Sequence, residues 1–186
     1  MNKSDECGVM IDGETLGVNT NAPIVTIAAV FFDLNTSWTL PIHFRLDVQY
    51  QLDNGAKADW STIRWWLQQK RAARNALMES PIECVSPDTF FYALDHYFEK
   101  LKPKTVWAKP ATADLTWLTS LYEREDVQRP WSYDQERCLR TIIKAHDPHG
   151  QLEPKFVGTP HDAKDDAVHQ VWYLRVLQEE FNFTLS

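Results

Sequence analysis

Positive charge is the first thing this sequence is short of: 19 lysines and arginines stand against 26 aspartates and glutamates, a formal net charge of −7. That balance argues against wrapping a nucleic-acid duplex, which takes many cationic contacts to phosphate. Long apolar runs are also missing. Nothing approaches the roughly 18 residues of a membrane span, and the opening Met1-Asn2-Lys3-Ser4-Asp5-Glu6 leads into no secretory apolar stretch. A cytoplasmic chain with no membrane partner is expected. Cysteine is sparse, and Cys7, Cys84 and Cys138 are odd in number and far apart, so they read as thiols rather than a disulfide framework or a zinc knuckle. Repeats and low-complexity segments are absent. The 186 residues, with eight tryptophans and nine phenylalanines, suffice for one packed core, so a single domain over 1–186 is expected.

The elements follow from the pattern of side chains. Residues 9–12, 24–33 and 38–46 read as three strands, the second rich in apolar and β-branched residues, with Asn35 and Thr36 available for a hairpin turn. They would form an antiparallel meander. Segment 51–57 reads as a polar, mobile loop. Helices are expected over 62–69, capped by Asp59 or Ser61, over 71–78, and over 88–101, where Ser86 and Pro87 supply the cap and first position. A short buried strand over 105–108 follows, then a helix beginning at Asp114, another over 133–145, a short strand near Phe156 and Val157, and a last helix over 165–181. Strands, a helical region and then strand-helix alternation predict an α/β sheet flanked by helices.

Three polar groups stand out on these elements. Asp12 and Glu14 lie two residues apart on the first strand and so share a face. Two carboxylates so placed repel each other unless a cation lies between them, and hard divalent cations take oxygen ligands; the plainer alternative is a polar strand end and turn. Asp114 sits at a helix start, where a cap or a dipole partner is the ordinary role. His161-Asp162-Ala163-Lys164-Asp165-Asp166 puts a histidine before the last helix and acidic residues in its first turns, again an ordinary arrangement for a helix N-terminus.

Taken in order, Asp12-x-Glu14, Asp114, and His161 with Asp166 five positions on resemble the motif set of the DEDDh exonucleases, 3′-to-5′ nucleases of ribonuclease-H-like fold. Further stretches, Asp12 to Gly17, Ala22-Pro23-Ile24-Val25, Trp65-Trp66-Leu67, Ala72-Ala73-Arg74 and Arg137-Cys138-Leu139-Arg140-Thr141, are similar to the branch that holds phage exonuclease A and the mycobacterial-type poly(A)-directed ribonuclease. The turn Ala108-Lys109-Pro110-Ala111-Thr112-Ala113 departs from that branch, which often has glycine or asparagine there. The resemblance implies a ribonuclease-H-like mixed sheet, an antiparallel meander plus parallel strands. It also implies two divalent ions, Mg²⁺ or Mn²⁺. Asp12 would bridge both, Glu14 and Asp166 would complete one site, Asp114 would help hold the other, and His161 would act as general base. The substrate implied is a single-stranded nucleic-acid 3′ end, DNA or RNA, shortened to nucleoside 5′-monophosphates. Homodimers occur in the group, and the aromatic content permits one here.

Around that set the resemblance points to Thr15 and Leu16 against the terminal nucleotide. Trp65 is a stacking platform if it does not pack inward, and the same choice faces Trp66 and Trp131. Lys109 and Arg140, with Arg64, Arg137 and Lys164, are cations that suit a few nucleotides of single strand; a solvated surface is the plain alternative for each. Asp162 or Asp165 could replace Asp166, and His169 could replace His161, but neither keeps the spacing of five. Asp166 and Gln170 share one face of the last helix. A binding protein of the same fold with little or no turnover is the competing function.

Overall fold

The computed structural model describes residues 7–78 and 83–183, which leaves the charged opening 1–6 outside the described residues. Six strands form one mixed sheet in the order β4-β3-β2-β1-β5-β6. β1 (Cys7–Thr15), β2 (Ile24–Asp33) and β3 (Thr39–Leu46) make the expected antiparallel meander, with Asp12 opposite Ala28 and Glu14 opposite Thr26. β5 (Thr105–Ala108) lies parallel beside β1, and β6 (Glu136–Cys138) parallel beside β5.

Side-chain alternation divides the sheet into two faces. Val9, Ile11, Ile27, Ala29, Phe31, Val106 and Ala108 point to one core, shared with α4 (Pro87–Leu101) and α5 (Ala111–Arg124) through Phe90, Phe91, Leu94, Leu115, Leu118 and Tyr122. Met10, Ala28, Val30, Phe32 and Trp107 point to the other, shared with α6 (Leu139–His146) and α7 (Ala163–Phe181) through Leu139, Ala167, Val171, Tyr173 and Leu174. β2 is apolar on both faces because helices cover both. Asp12 and Glu14 continue the row that begins at Met10. They therefore emerge on the α7 side, where the apolar core ends.

Several expectations need correction. α1 (Val48–Asp53) occupies the first part of the segment read as a mobile loop; Asp47 caps it, accepting the Tyr50 N–H at 2.9 Å. Gln51 is buried there and patches the start of β2: its Oε1 accepts the Ile24 N–H at 2.9 Å, while its Nε2 donates to the Ile24 carbonyl at 2.8 Å. The helix expected over 133–145 divides into a 3-10 turn (Tyr133–Gln135), the strand β6 and α6, because the exposed edge of β5 offers Val106 to Ala108 a parallel partner. No strand forms at Phe156 and Val157; the backbone is irregular there, and Phe156 packs against the ring of His169. β4 (Cys84–Val85), beside β3, was not foreseen. α2 (Trp60–Gln68), α3 (Arg71–Met78) and α7 fall close to the expected spans, and α5 begins three residues before Asp114.

Phe31 is fully buried, with its ring 5.7 Å from that of Tyr97 and 5.9 Å from that of Phe98. Phe31→Ala should cost about 3–5 kcal/mol, read as a lower urea midpoint at an unchanged slope.

Candidate active site

Four segments bring their polar groups to the end of β1 where β5 also finishes. β1 supplies Asp12, which is 8% exposed, and Glu14 on the same face. The chain turns out of β5 into α5, whose first turn carries the buried Asp114; its Oδ1 accepts the Gly13 N–H at 3.2 Å, which ties α5 to β1 between the two acidic residues. α7 approaches from the other layer. Its N-cap Asp162 accepts the N–H groups of Lys164 and Asp165, both at 3.1 Å, and this cap places Asp166 in the first turn.

The loop before α7 is drawn onto that turn. Asp166 Oδ2 accepts the His161 N–H at 2.9 Å and Asp165 Oδ2 accepts the Thr159 N–H at 2.8 Å, while His161 adopts a left-handed φ of 65°. Ligand atoms of Glu14, His161 and Asp166 consequently lie within 4.8 Å of one another. The imidazole is held edge-on against Trp65 and Trp66, with centroids 5.1 and 6.0 Å away. One turn beyond Asp166, Gln170 Nε2 donates to Asp12 Oδ1 at 2.7 Å.

The electrostatics are those of a site short of cations. Burial, then the charges of Asp114, Glu14 and Asp166, hold Asp12 well above the usual carboxylate range, against the hydrogen bond from Gln170. Burial and repulsion from Asp166 and Asp114 push Glu14 up to about 8. Asp114 is raised to about 7, by burial first, although the Gly13 N–H and the charge of Arg140 oppose the shift. Asp166 is raised by burial, offset by the His161 N–H. Four oxygen-bearing groups that destabilise one another's charge fit one or more hard divalent cations. Asp12, Glu14, Asp114 and Asp166 are the residues that could hold them.

The remaining sequence-derived residues are distributed around this cluster. Trp65 is 41% exposed and Trp66 only 4%, so the pair divides into an outward and an inward ring; the Trp66 indole donates to the Thr15 carbonyl at 3.0 Å. A cavity of about 410 Å³ is lined by Glu14, Thr15, Trp65, Trp66 and Trp117, among others. The Thr15 hydroxyl is turned to the Gly17 carbonyl at 2.6 Å, and Leu16 packs on the small cluster of Val25, Trp66, Ala73 and Leu77. Lys109 lines a second cavity of about 520 Å³ with Asp166, His169 and Gln170, and stands 3.9 Å from Glu153. Arg140 is exposed on α6, its charge felt at Asp114. Of the other cations, Lys164 pairs with Asp165 at 3.3 Å and Arg137 donates to the Asp134 carbonyl, while Arg64 is exposed.

The alternatives to Asp166 and His161 have other partners. Asp162 is the cap, Asp165 holds Thr159, and His169 Nε2 lies 3.2 Å from Glu153. Trp131 packs in the core with Phe98 and Tyr122. Two groups in the site were not assigned from sequence. Trp117 lines the first cavity, and nothing in its surroundings signals that. Gln170 did have a signal, the four-residue step from Asp166 on one helix face.

Residues 7–178 match the family model described as the 3′-5′ exoribonuclease Rv2179c-like domain. Among solved structures, the crystal structure of cell-death related nuclease 4 (CRN-4) is similar at a TM-score of 0.52 and 9% sequence identity, over 94% of this chain and 64% of that one. This chain thus spans somewhat less than two thirds of that chain's length, and the likeness is one of fold, a ribonuclease-H-like mixed sheet. No curated protein matches in sequence. No described helix is long and apolar enough to cross a membrane.

The raised carboxylates make a stability prediction. The folded site holds protons more tightly than the unfolded chain, so stability falls as pH rises, from 4.5 to about 8 for Glu14 and from 3.8 to about 7 for Asp114. In chelator, the melting temperature should drop across that window, and Asp12→Asn should raise it at pH 8 by about 2–4 °C per kcal/mol of repulsion removed. Mn²⁺ should recover the loss in the native protein. Differential scanning calorimetry at pH 5 and 8, with and without metal, checks all three.

Proposed function

The chain belongs to the 3′-5′ exoribonuclease Rv2179c-like family, and from that premise we propose that it is a metal-dependent 3′-to-5′ exonuclease of the DEDDh type. It removes nucleoside 5′-monophosphates from single-stranded ends, and the family description favours RNA over DNA. The observation that carries this reading is the convergence of Glu14, Asp166 and His161 ligand atoms within 4.8 Å, with Asp12 and Asp114 alongside.

Two divalent ions, Mg²⁺ or Mn²⁺, held by Asp12, Glu14, Asp166 and Asp114, would acidify the attacking water and neutralise charge that develops on the phosphate. The protein's own groups do the rest. His161 takes the proton of the attacking water on its imidazole, the side chain most often used for such proton transfer. Its backbone is fixed by Asp166 and its ring by Trp65 and Trp66. The exposed ring of Trp65 stacks on the terminal base, a contact worth about 1–3 kcal/mol and indifferent to base identity, while Thr15 and Leu16 border the same end of β1. Lys109, in the cavity it shares with Asp166, and Arg140, whose charge acts on Asp114, offset phosphate charge.

Matched 3′- and 5′-labelled RNA and DNA strands, incubated with Mg²⁺, Mn²⁺ or chelator, test the activity and its polarity. Metal-dependent loss of the 3′ label as mononucleotide, with stepwise shortening of the 5′-labelled strand, is expected. Absence of cleavage on either strand, with metal bound, sinks the proposal in favour of a binding protein. Asp166→Ala should keep the fold and abolish turnover. His161→Ala should lower kcat by about 10²–10⁴-fold, and a variant that keeps native turnover removes that residue from the mechanism.

A further inference from the structure

Resting on the metal-site reading above, we propose that Gln170 is a positioning residue that aims Asp12: it occupies Oδ1 of that carboxylate so that Oδ2 faces the metal position.

The hydrogen bond joins the two layers that build the site. Asp12 lies on β1 and Gln170 on α7, 158 positions apart, with Nε2 2.7 Å from Oδ1. Both side chains are buried, Gln170 at 5% exposure and Asp12 at 8%. Among the described residues no donor to Asp12 Oδ2 is found, so one oxygen is anchored and the other is open. The other end of the amide points to purpose rather than convenience: Gln170 Oε1 is buried without a hydrogen-bond partner. A buried acceptor left unpaired is unfavourable, and an apolar side chain of the same size would avoid it. Gln170 bears that cost while its amide supplies the donor to Asp12.

Charge and register explain why the donor is an amide. Lysine at this position would bring a permanent cation to the carboxylates and compete with the metal; glutamate would add another negative charge. Glutamine donates without altering the charge of the cluster. It also stands one helical turn from Asp166 on the same face of α7. A single helix thus supplies one carboxylate and orients another from the sheet, so that the two reach the metal position in a set relation. Groups that hold metal ligands in this way typically affect affinity or activity about 10–100-fold.

The test compares native protein, Gln170→Met, which preserves size and removes the donor, Gln170→Asn, which keeps an amide but shortens it, and Asp12→Asn as the metal-site control. Mn²⁺ affinity is measured by electron paramagnetic resonance of the free ion, apart from any turnover, and kcat and KM are measured on a labelled single strand. Expected for Gln170→Met is about 10–100-fold weaker Mn²⁺ binding, a broadened spectrum of the bound ion, and a loss in kcat with KM for the strand little changed. Gln170→Asn, too short to reach Oδ1, should behave like Gln170→Met. Native Mn²⁺ affinity and kcat in Gln170→Met, while Asp12→Asn loses both, would overturn the role of Gln170 and leave the metal site standing. No Mn²⁺ binding by the native protein would overturn the metal reading and this inference with it. A rise in KM alone, with kcat and metal affinity intact, would make Gln170 a substrate contact and likewise overturn the inference.

Discussion

Four carboxylates with too few positive charges beside them are the constraint on which the rest of this structure depends. Burial raises the proton affinity of Asp12, Glu14, Asp114 and Asp166, and repulsion within the cluster raises it further at Asp12, Glu14 and Asp114. Left to itself, such a cluster would separate. It is held because each member is attached to an element whose position is set elsewhere, by apolar packing in which the acidic groups take no part.

The two faces of the sheet provide that packing. Val9, Ile11, Ile27, Ala29 and Phe31 meet α4 and α5, and Met10, Ala28, Val30 and Phe32 meet α6 and α7. Asp114 arrives from the first layer and Asp166 from the second, and β1 runs between them with its own acidic pair just beyond Met10. Because β1, β5 and β6 are parallel, their ends lie together, the usual place for a site in a sheet of this type. Two short contacts join the layers there, the Gly13 N–H to Asp114 and Gln170 to Asp12. The carboxylate cluster thus lies at a junction that the packing of the two cores has formed.

Much of the fold could be read from local patterns. The meander, the Ser86-Pro87 helix start and the last helix follow from periodicity and caps, each a short-range property. The misreadings share a cause. β6 is only three residues long and exists because the edge of β5 is open beside it; composition around Glu136 reads equally well as helix. Gln51 belongs to a polar segment, yet it is buried because the start of β2 needs an amide that can both donate and accept. Tertiary pairing overrides local preference at such places.

By itself, the sequence determined the chemistry available: the acidic residues, the histidine five positions before the last of them, and the alternation that puts Asp12 and Glu14 on one face. It also carried enough ordered motif for a 3′-5′ exonuclease family to be recognised. Tertiary structure alone decided proximity and orientation. Residues over a hundred positions apart meet only through the sheet order and the docking of α5 and α7. Which tryptophan of an adjacent pair turns outward, and which oxygen of Asp12 is bound by Gln170, depends on what lies across the junction. Side-chain identity is local information, whereas distance and direction between distant segments are products of packing.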